Sequence, residues 1–389
     1  MNKTIKGFAA VFIAAILVST TTFAAPVMKN INIAYENIKI YMDGTLLKPV
    51  DVNGKSVEPF IYNSTAYLPV RAVAQAFGKS IEWDSNTKAI YLGDKKTSGD
   101  PHPPVSSASP EIDGLSIFPS DNFWNTPVDK LPVHPSSSDY IASIGKSKTL
   151  HPDFGTVWYG QPIGIPYNVV EANQPKVNVT FDYADESDPG PYPIPQKPLI
   201  EGGSDKHLLI LQKGSNILYE LFNVEKNSNG SWHAGSGAIW HLDKNEARPK
   251  GWTSADASGL AILPGLVRYE EVYEESEINH AIRITVSKIQ KAYIPPASHT
   301  GGKYTAKIYP PMGLRLRLKD NFNILSFDKN VQVILKAFKK YGVVIADVGS
   351  DMYVTGVPDS RWDDEILRAL GKVSADNFEA VYTGDAIPY

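Results

Sequence analysis

The amino-acid sequence predicts a mainly β protein: a small α+β N-terminal module followed by a larger β-sandwich or jelly-roll-like domain with peripheral helices. Three observations predict it. Short segments of period-two alternation recur from Lys176 onward, Gly- and Pro-rich turns separate them, and helical periodicity in that larger region appears only in two late stretches. Many short strands joined by such turns close most readily as stacked or rolled sheets.

From the N-terminus, Lys3 and Lys6 precede an apolar run from Phe8 to Val18 and the small pair Ala24-Ala25. Residues 1–25 therefore read as a signal peptide, and the protein is expected to be secreted, extracellular or wall-associated. The apolar run is shorter than the ~20 residues that span a bilayer, and no later segment approaches that length, so no membrane span is expected. The formal charge of −4 becomes −6 once Lys3 and Lys6 are removed, which argues against a nucleic-acid partner. There is no cysteine, so neither disulfides nor a Cys-ligated metal can hold the fold, and core burial must do so.

Residues 28–93 form the first module, with short strands at Ile31-Ala34 and Ile38-Tyr41, a turn at Asp43-Gly44, a helix from Val70 to Phe77 and a closing strand at Ile90-Leu92. The run Tyr67-Leu68-Pro69-Val70-Arg71-Ala72-Val73 and the hairpin Trp83-Asp84-Ser85-Asn86-Thr87-Lys88 carry a resemblance. The module resembles the copper amine oxidase N-terminal-like stalk domain of secreted Gram-positive proteins, which implies a small anchoring or spacing unit. Copper(II) needs imidazole or thiolate donors, and Ile31 to Gly93 contains no His or Cys; no copper is implied. Residues 94–112, rich in Pro, Ser and Gly, read as a linker.

Residues 113–389 are left as one β-rich domain, the candidate catalytic unit. Strands are expected at Lys176-Tyr183, His207-Gln212, Ile217-Val224, His280-Val286 and Gly313-Lys319, and helices at Lys329-Tyr341 and Asp363-Ala369. The stretch Asp188-Pro-Gly-Pro-Tyr-Pro-Ile-Pro195 is expected as an ordered loop near a sheet edge, because proline cannot donate to a central ladder.

Polar groups beside aromatics and glycines mark three segments: Tyr183 to Gly190, Ser231 to His241 and Trp252 to Gly259. Carboxyls next to indole and phenol rings suit a sugar cleft, with Asp185, Glu186 and Asp256 as candidate catalytic groups and Trp232 and His233 as candidate substrate contacts. The simpler reading is that Asp185, Glu186 and Asp188 cap a turn. His280 shares a strand face with Ile282 and Ile284, and His299 follows Tyr293-Ile-Pro-Pro. His280 is a further catalytic candidate and His299 and Tyr293 are candidate substrate contacts, against a structural role in hydrogen-bonded loops. No spacing indicates a metal site, and neither metal nor cofactor is expected.

Arg315 and Arg317 alternate with Leu314, Leu316 and Leu318, which reads as an open sheet face over a leucine core, either plain solvated surface or a platform for uronate carboxylates. Asp347-Val-Gly-Ser-Asp351 follows the apolar strand Val343-Ala346. Asp347 and Asp351 therefore compete with Asp185 for the catalytic role, or else close a hairpin onto Met352-Val354. Ser236 lacks the full Gly-x-Ser-x-Gly elbow, and no P-loop or dinucleotide fingerprint is present. Taken together, Phe118 to Asn125, Ser231 to Ile239, Gly251 to Asp256 and Gly349 to Asp351 make this domain similar to one found in secreted proteins of soil bacteria; that resemblance implies export and a single domain and carries over no catalytic residue.

The function expected is that of a secreted glycoside hydrolase acting on an extracellular or cell-wall polysaccharide. Two rivals remain: a lyase acting on a uronate glycan, with His280 or His299 as base, Tyr293 as acid and the arginines on the carboxylates, and a non-catalytic glycan-binding protein.

Overall fold

The computed structural model describes residues 33–42, 45–51, 55–63, 65–76, 81–84, 89–92 and 109–389. The leader 1–25, the Asp43-Gly44 turn and nearly all of the 94–112 linker lie outside the described residues. The chain divides into two compact units, Met1–Pro103 and Pro104–Tyr389. Among the described residues no helix is long and apolar enough to cross a membrane.

In the first unit Tyr41–Met42 pairs with Thr45–Leu46, Phe60–Tyr62 with Thr65–Tyr67, and Ile81–Asp84 with Ala89–Leu92, all antiparallel. The helix Val70–Ala76 follows Pro69, where a fixed φ and a missing N–H suit a helix start. It buries Ala72 and Ala74. Register places Phe60 opposite Tyr67, and their rings stack at 5.2 Å.

The second unit is mainly β, with few helices. Glu111–Ile112 already pairs with Leu115–Ser116, and Ile112 is buried, so this folded unit begins before Asp113. A six-stranded sheet runs Phe378–Ala380, Arg315–Leu318, Val343–Val348, Ile282–Val286, Tyr353–Thr355, His151–Asp153. A four-stranded sheet runs Tyr167–Val170, Leu208–Gln212, Ile217–Phe222, Ser236–His241. Both sheets are mixed, with parallel pairs at 167–170 with 208–212, 282–286 with 343–348, and 353–355 with 151–153.

Alternation along Leu208–Gln212 explains the layering. Leu209 and Leu211 join the large core shared with the six-stranded sheet, whereas Leu208 and Ile210 join a second core with Val179, Tyr192 and Trp232. The four-stranded sheet is thus covered on both faces, and the segment reads as a continuous apolar run for that reason. Its outer cover includes the small sheet Val179–Phe181, Trp232–Ala234, Glu225–Lys226 and the proline-rich loop, whose Tyr192 exchanges backbone hydrogen bonds with Val177 at 2.9 Å each way.

The helix Lys329–Lys340 lays Val331, Ile334, Leu335 and Phe338 into the large core. Asp328 caps it by accepting from the Asn330 N–H at 2.8 Å, and Lys339 and Lys340 sit at its negative end.

Two sequence expectations change here. Arg315 lies under cover with only 2% of its surface exposed; its guanidinium donates to the Phe123 carbonyl at 2.8 Å and to the Tyr341 carbonyl, and stacks on the Phe123 ring. Burial with no anionic partner pushes it down to about 9. Alternation identified the leucine face but not the layer over the other face. Second, Asp347 to Asp351 is not a hairpin turn. Val343–Val348 and Tyr353–Thr355 flank Ile282–Val286 on opposite sides, so the chain crosses the end of that strand.

Candidate active site

A cavity of about 360 Å³ opens where the 183–186 turn, the 253–257 loop, His299 and the end of Val343–Val348 meet. Its walls include Tyr183, Glu186, Asp205, Phe222, Asp256 and Asp347.

Asp347 reaches this site through a β-bulge. Along the parallel pair, Ile284 faces Ile345 but Thr285 faces Asp347, so Ala346 is the extra residue. A one-residue shift turns a side chain to the opposite face. The bulge therefore moves Asp347 off the core side occupied by Ile345 and onto the side of Arg283. Arg283 is buried, and all three of its guanidinium nitrogens donate hydrogen bonds. It grips Asp256 with two bonds of 2.7 and 2.8 Å, donates to Thr355 Oγ1 at 2.8 Å, and reaches Asp347 with one bond of 3.1 Å.

One guanidinium thus serves two carboxyls, unequally. Burial, then the charge of Asp256, pushes Asp347 up to about 7 against the pull of Arg283. Its side chain remains 22% exposed. Asp347 can therefore hold a proton near neutral pH and still reach a ligand. Behind this pair His207 is buried between the Glu201 carboxyl at Nδ1 and the Ala255 carbonyl at Nε2, 3.2 Å away. Burial alone would lower His207, but the hydrogen bond and charge of Glu201 outweigh it and raise it.

In the same cavity lining, Glu186 ends a 3₁₀ turn, Ala184–Glu186, and accepts from the Thr253 N–H at 3.1 Å. Arg248 fixes this turn from behind. It donates to the Glu186 carbonyl at 2.9 Å, to Asp188 at 2.6 Å and to the Thr253 carbonyl, and its plane lies near the rings of Trp240 and Trp252. The Nδ1–H of His299 points at the Ala257 carbonyl at 2.8 Å, which leaves Nε2 facing Glu186 at 4.0 Å.

Of the residues singled out from sequence, the structure brings together Glu186, Asp256, His299 and Asp347. The others lie elsewhere. Asp185 is exposed outside the cavity lining. Asp351 accepts from the Ser287 N–H and hydroxyl, both at 2.8 Å, as a turn cap. His280 is sealed between Glu271 at 2.9 Å and its neighbour's carbonyl at 2.8 Å. Trp232 and Tyr293 are buried in core packing, and Arg315 under the 123 and 341 carbonyls, so none offers a free surface to a sugar. His233 lies on the outer small sheet with Thr180 at 2.9 Å and Asp182 at 3.1 Å. Arg248, Arg283, Asp205 and the Glu201–His207 pair went unnoticed in the sequence. Only Arg283 left a trace there: a charge opposite the apolar face of a strand whose surroundings were otherwise core. Among the described residues no three His, Asp or Glu side chains are disposed to hold a metal ion.

Residues 48–98 match the family model of the copper amine oxidase N-terminal domain. This copper amine oxidase N-terminal match begins inside the first module and ends in the first residues of the linker. It contains no His or Cys, so the family name brings no copper donors with it. The cavity lies outside the matched segment. No curated protein and no solved structure matches the chain.

Proposed function

We propose that the chain is a secreted glycoside hydrolase of extracellular polysaccharide, with Asp347 as general acid and Glu186 as the second carboxyl. The observation that carries this reading is one cavity lined by a carboxyl pushed up to about 7 and by a second, fixed carboxyl, together with the rings of Tyr183 and Phe222. Asp347 would protonate the departing glycosidic oxygen. Glu186 would either activate water or attack the anomeric carbon, according to its separation from Asp347 when substrate is bound. Asp256 and Arg283 are positioning residues: the charge of Asp256 favours the protonated form of Asp347, and the hydrogen bond from Arg283 aims it. The lyase reading keeps only His299 at the cavity, because Arg315, Tyr293 and His280 are buried away from it and Arg283 is already paired with Asp256. The site is also concave, which favours turnover over binding alone.

The test is to incubate the purified protein with a panel of soluble polysaccharides and follow both new reducing ends and the absorbance of unsaturated uronates. Reducing ends without unsaturated products are expected, and both Asp347→Asn and Glu186→Gln should abolish them. Unsaturated products would establish a lyase instead. Binding without any product would establish a glycan-binding protein.

A further inference from the structure

The cavity at Asp347 does not end at its own wall. Asp205 also lines a second cavity of about 400 Å³, walled by Gly202, Gly203 and Gln161. Asp153, Trp158 and Ile163 belong to both that cavity and a third of about 500 Å³, which reaches the rings of His151 and Tyr353, 4.2 Å apart and tilted by 30°. Neighbouring spaces share lining residues, so the three adjoin in sequence as a candidate cleft.

A projecting hairpin stands over the two outer spaces. Val157–Trp158 pairs with Gln161–Pro162 across a Tyr159-Gly160 turn whose φ values are +48° and +80°, the left-handed pair that a tight two-residue hairpin requires. Trp158 is 64% and Tyr159 92% exposed. Rings this exposed contribute little burial to the fold, yet they present flat faces beside a cleft, where the C–H faces of sugar rings stack. Each space thus has aromatic surface: Tyr183 and Phe222 in the first, Trp158 in the second, Trp158 and Tyr353 in the third.

Along the wall lie Asp205, Glu201 and Asp153. Burial and the nearness of Glu201 and Asp205 raise the Asp153 carboxyl. Carboxylates accept hydrogen bonds from sugar hydroxyls and attract ammonium groups, but repel uronates and phosphates. The arginines at these spaces are each ion-paired: Arg283 with Asp256, Arg248 with Asp188 and Arg368 with Glu365.

We propose that this cleft binds an extended glycan chain bearing no acidic groups, neutral or amino-substituted, with the Trp158–Tyr159 hairpin gripping the chain away from the bond that is cut. The choice of a glycan rests on the hydrolase reading; the extent of the cleft and its charge preference rest on the geometry above.

The experiment is affinity electrophoresis of the full protein and of the double variant Trp158→Ala/Tyr159→Ala through gels containing xylan, hydroxyethylcellulose, glycol chitosan or polygalacturonate. Retardation by at least one of the first three and none by polygalacturonate is expected. The double variant should bind about tenfold more weakly, a loss typical of removed aromatic contacts, and the loss should grow with oligosaccharide length. Equal retardation of the two proteins, retardation by polygalacturonate alone, or none by any polymer would overturn the proposal. Binding here needs no turnover, so hairpin-dependent retardation by a protein that cuts nothing keeps the cleft and removes the hydrolase.

Discussion

Two buried arginines, fifteen residues apart, show how the same side-chain types yield either a rivet or a reactive group. Arg268 and His280 share one carboxylate, Glu271, and all three side chains are at most 5% exposed. Burial would raise Glu271, but the charges of Arg268 and then His280 pull it down. Arg283 presents the reverse ratio, one cation to two carboxylates, and Asp347 opens onto the cavity. Burial and Asp256 then push Asp347 up to about 7. A carboxylate outnumbered by cations stays charged and structural. A carboxyl outnumbering its cation takes a proton that it can give away.

The sharpest break of this contrast is Asp347→Asn. Turnover of whichever glycan is cleaved should fall by about 10²–10⁴-fold, the usual contribution of a positioned acid, while the melting temperature holds or rises because Asp256 keeps Arg283 to itself. Initial rates and calorimetry on the same preparation check both halves. A normal rate in this variant would take Asp347 out of the chemistry.

Glu271→Gln should do the opposite. Removing the one carboxylate of a buried cluster leaves Arg268 and His280 uncompensated, at a cost of about 3–5 kcal/mol. Urea unfolding reads that loss, and turnover per folded molecule should remain at the wild-type level. A stability change under about 1 kcal/mol would mean that the cluster is solvated and no rivet.

The smallest effect is the slope of stability with pH, which has opposite signs in the two clusters. Asp347 is raised from 3.8 to about 7, so the folded state binds the extra proton. Its contribution is favourable below about 4 and is lost as pH rises toward 7. Glu271 is lowered from 4.5, so its contribution is present above that value and is lost as pH falls through the folded value. Glu220, fully buried and also pushed up to about 7 despite bonds from the Ile262 and Leu263 N–H groups and Trp240, adds to the first slope in every variant. Unfolding free energies from pH 4 to 8 should therefore decline less in Asp347→Asn than in wild type. The same ionisation should place the alkaline limb of kcat/KM near 7. Parallel stability curves for the two proteins would show that Asp347 does not titrate in this window.

The parts of this protein that could be read in advance are those specified by neighbours along the chain. Leu-Pro-Val-Arg and the Trp-Asp hairpin marked the N-terminal module, Lys329 to Lys340 showed its helical stripe, and alternation located the strands 282–286 and 315–318 to within two residues. Alternation names two faces of a strand, however, and says nothing of what covers the second. Arg315 was assigned to an open surface on that ground, and Trp232 and Tyr293 to a sugar-binding face, although all three are buried. The site depends on still less local facts. Glu186, Asp256, His299 and Asp347 span more than a third of the chain, and Asp347 changes face only because one residue, Ala346, is looped out against Ile284 and Thr285. The sequence by itself determined the β class, the module at the N-terminus and the residue types available for chemistry. Which carboxyl faces which arginine, and so which one holds a proton, was decided by the tertiary structure, because burial and charge ratio arise only after distant segments pack.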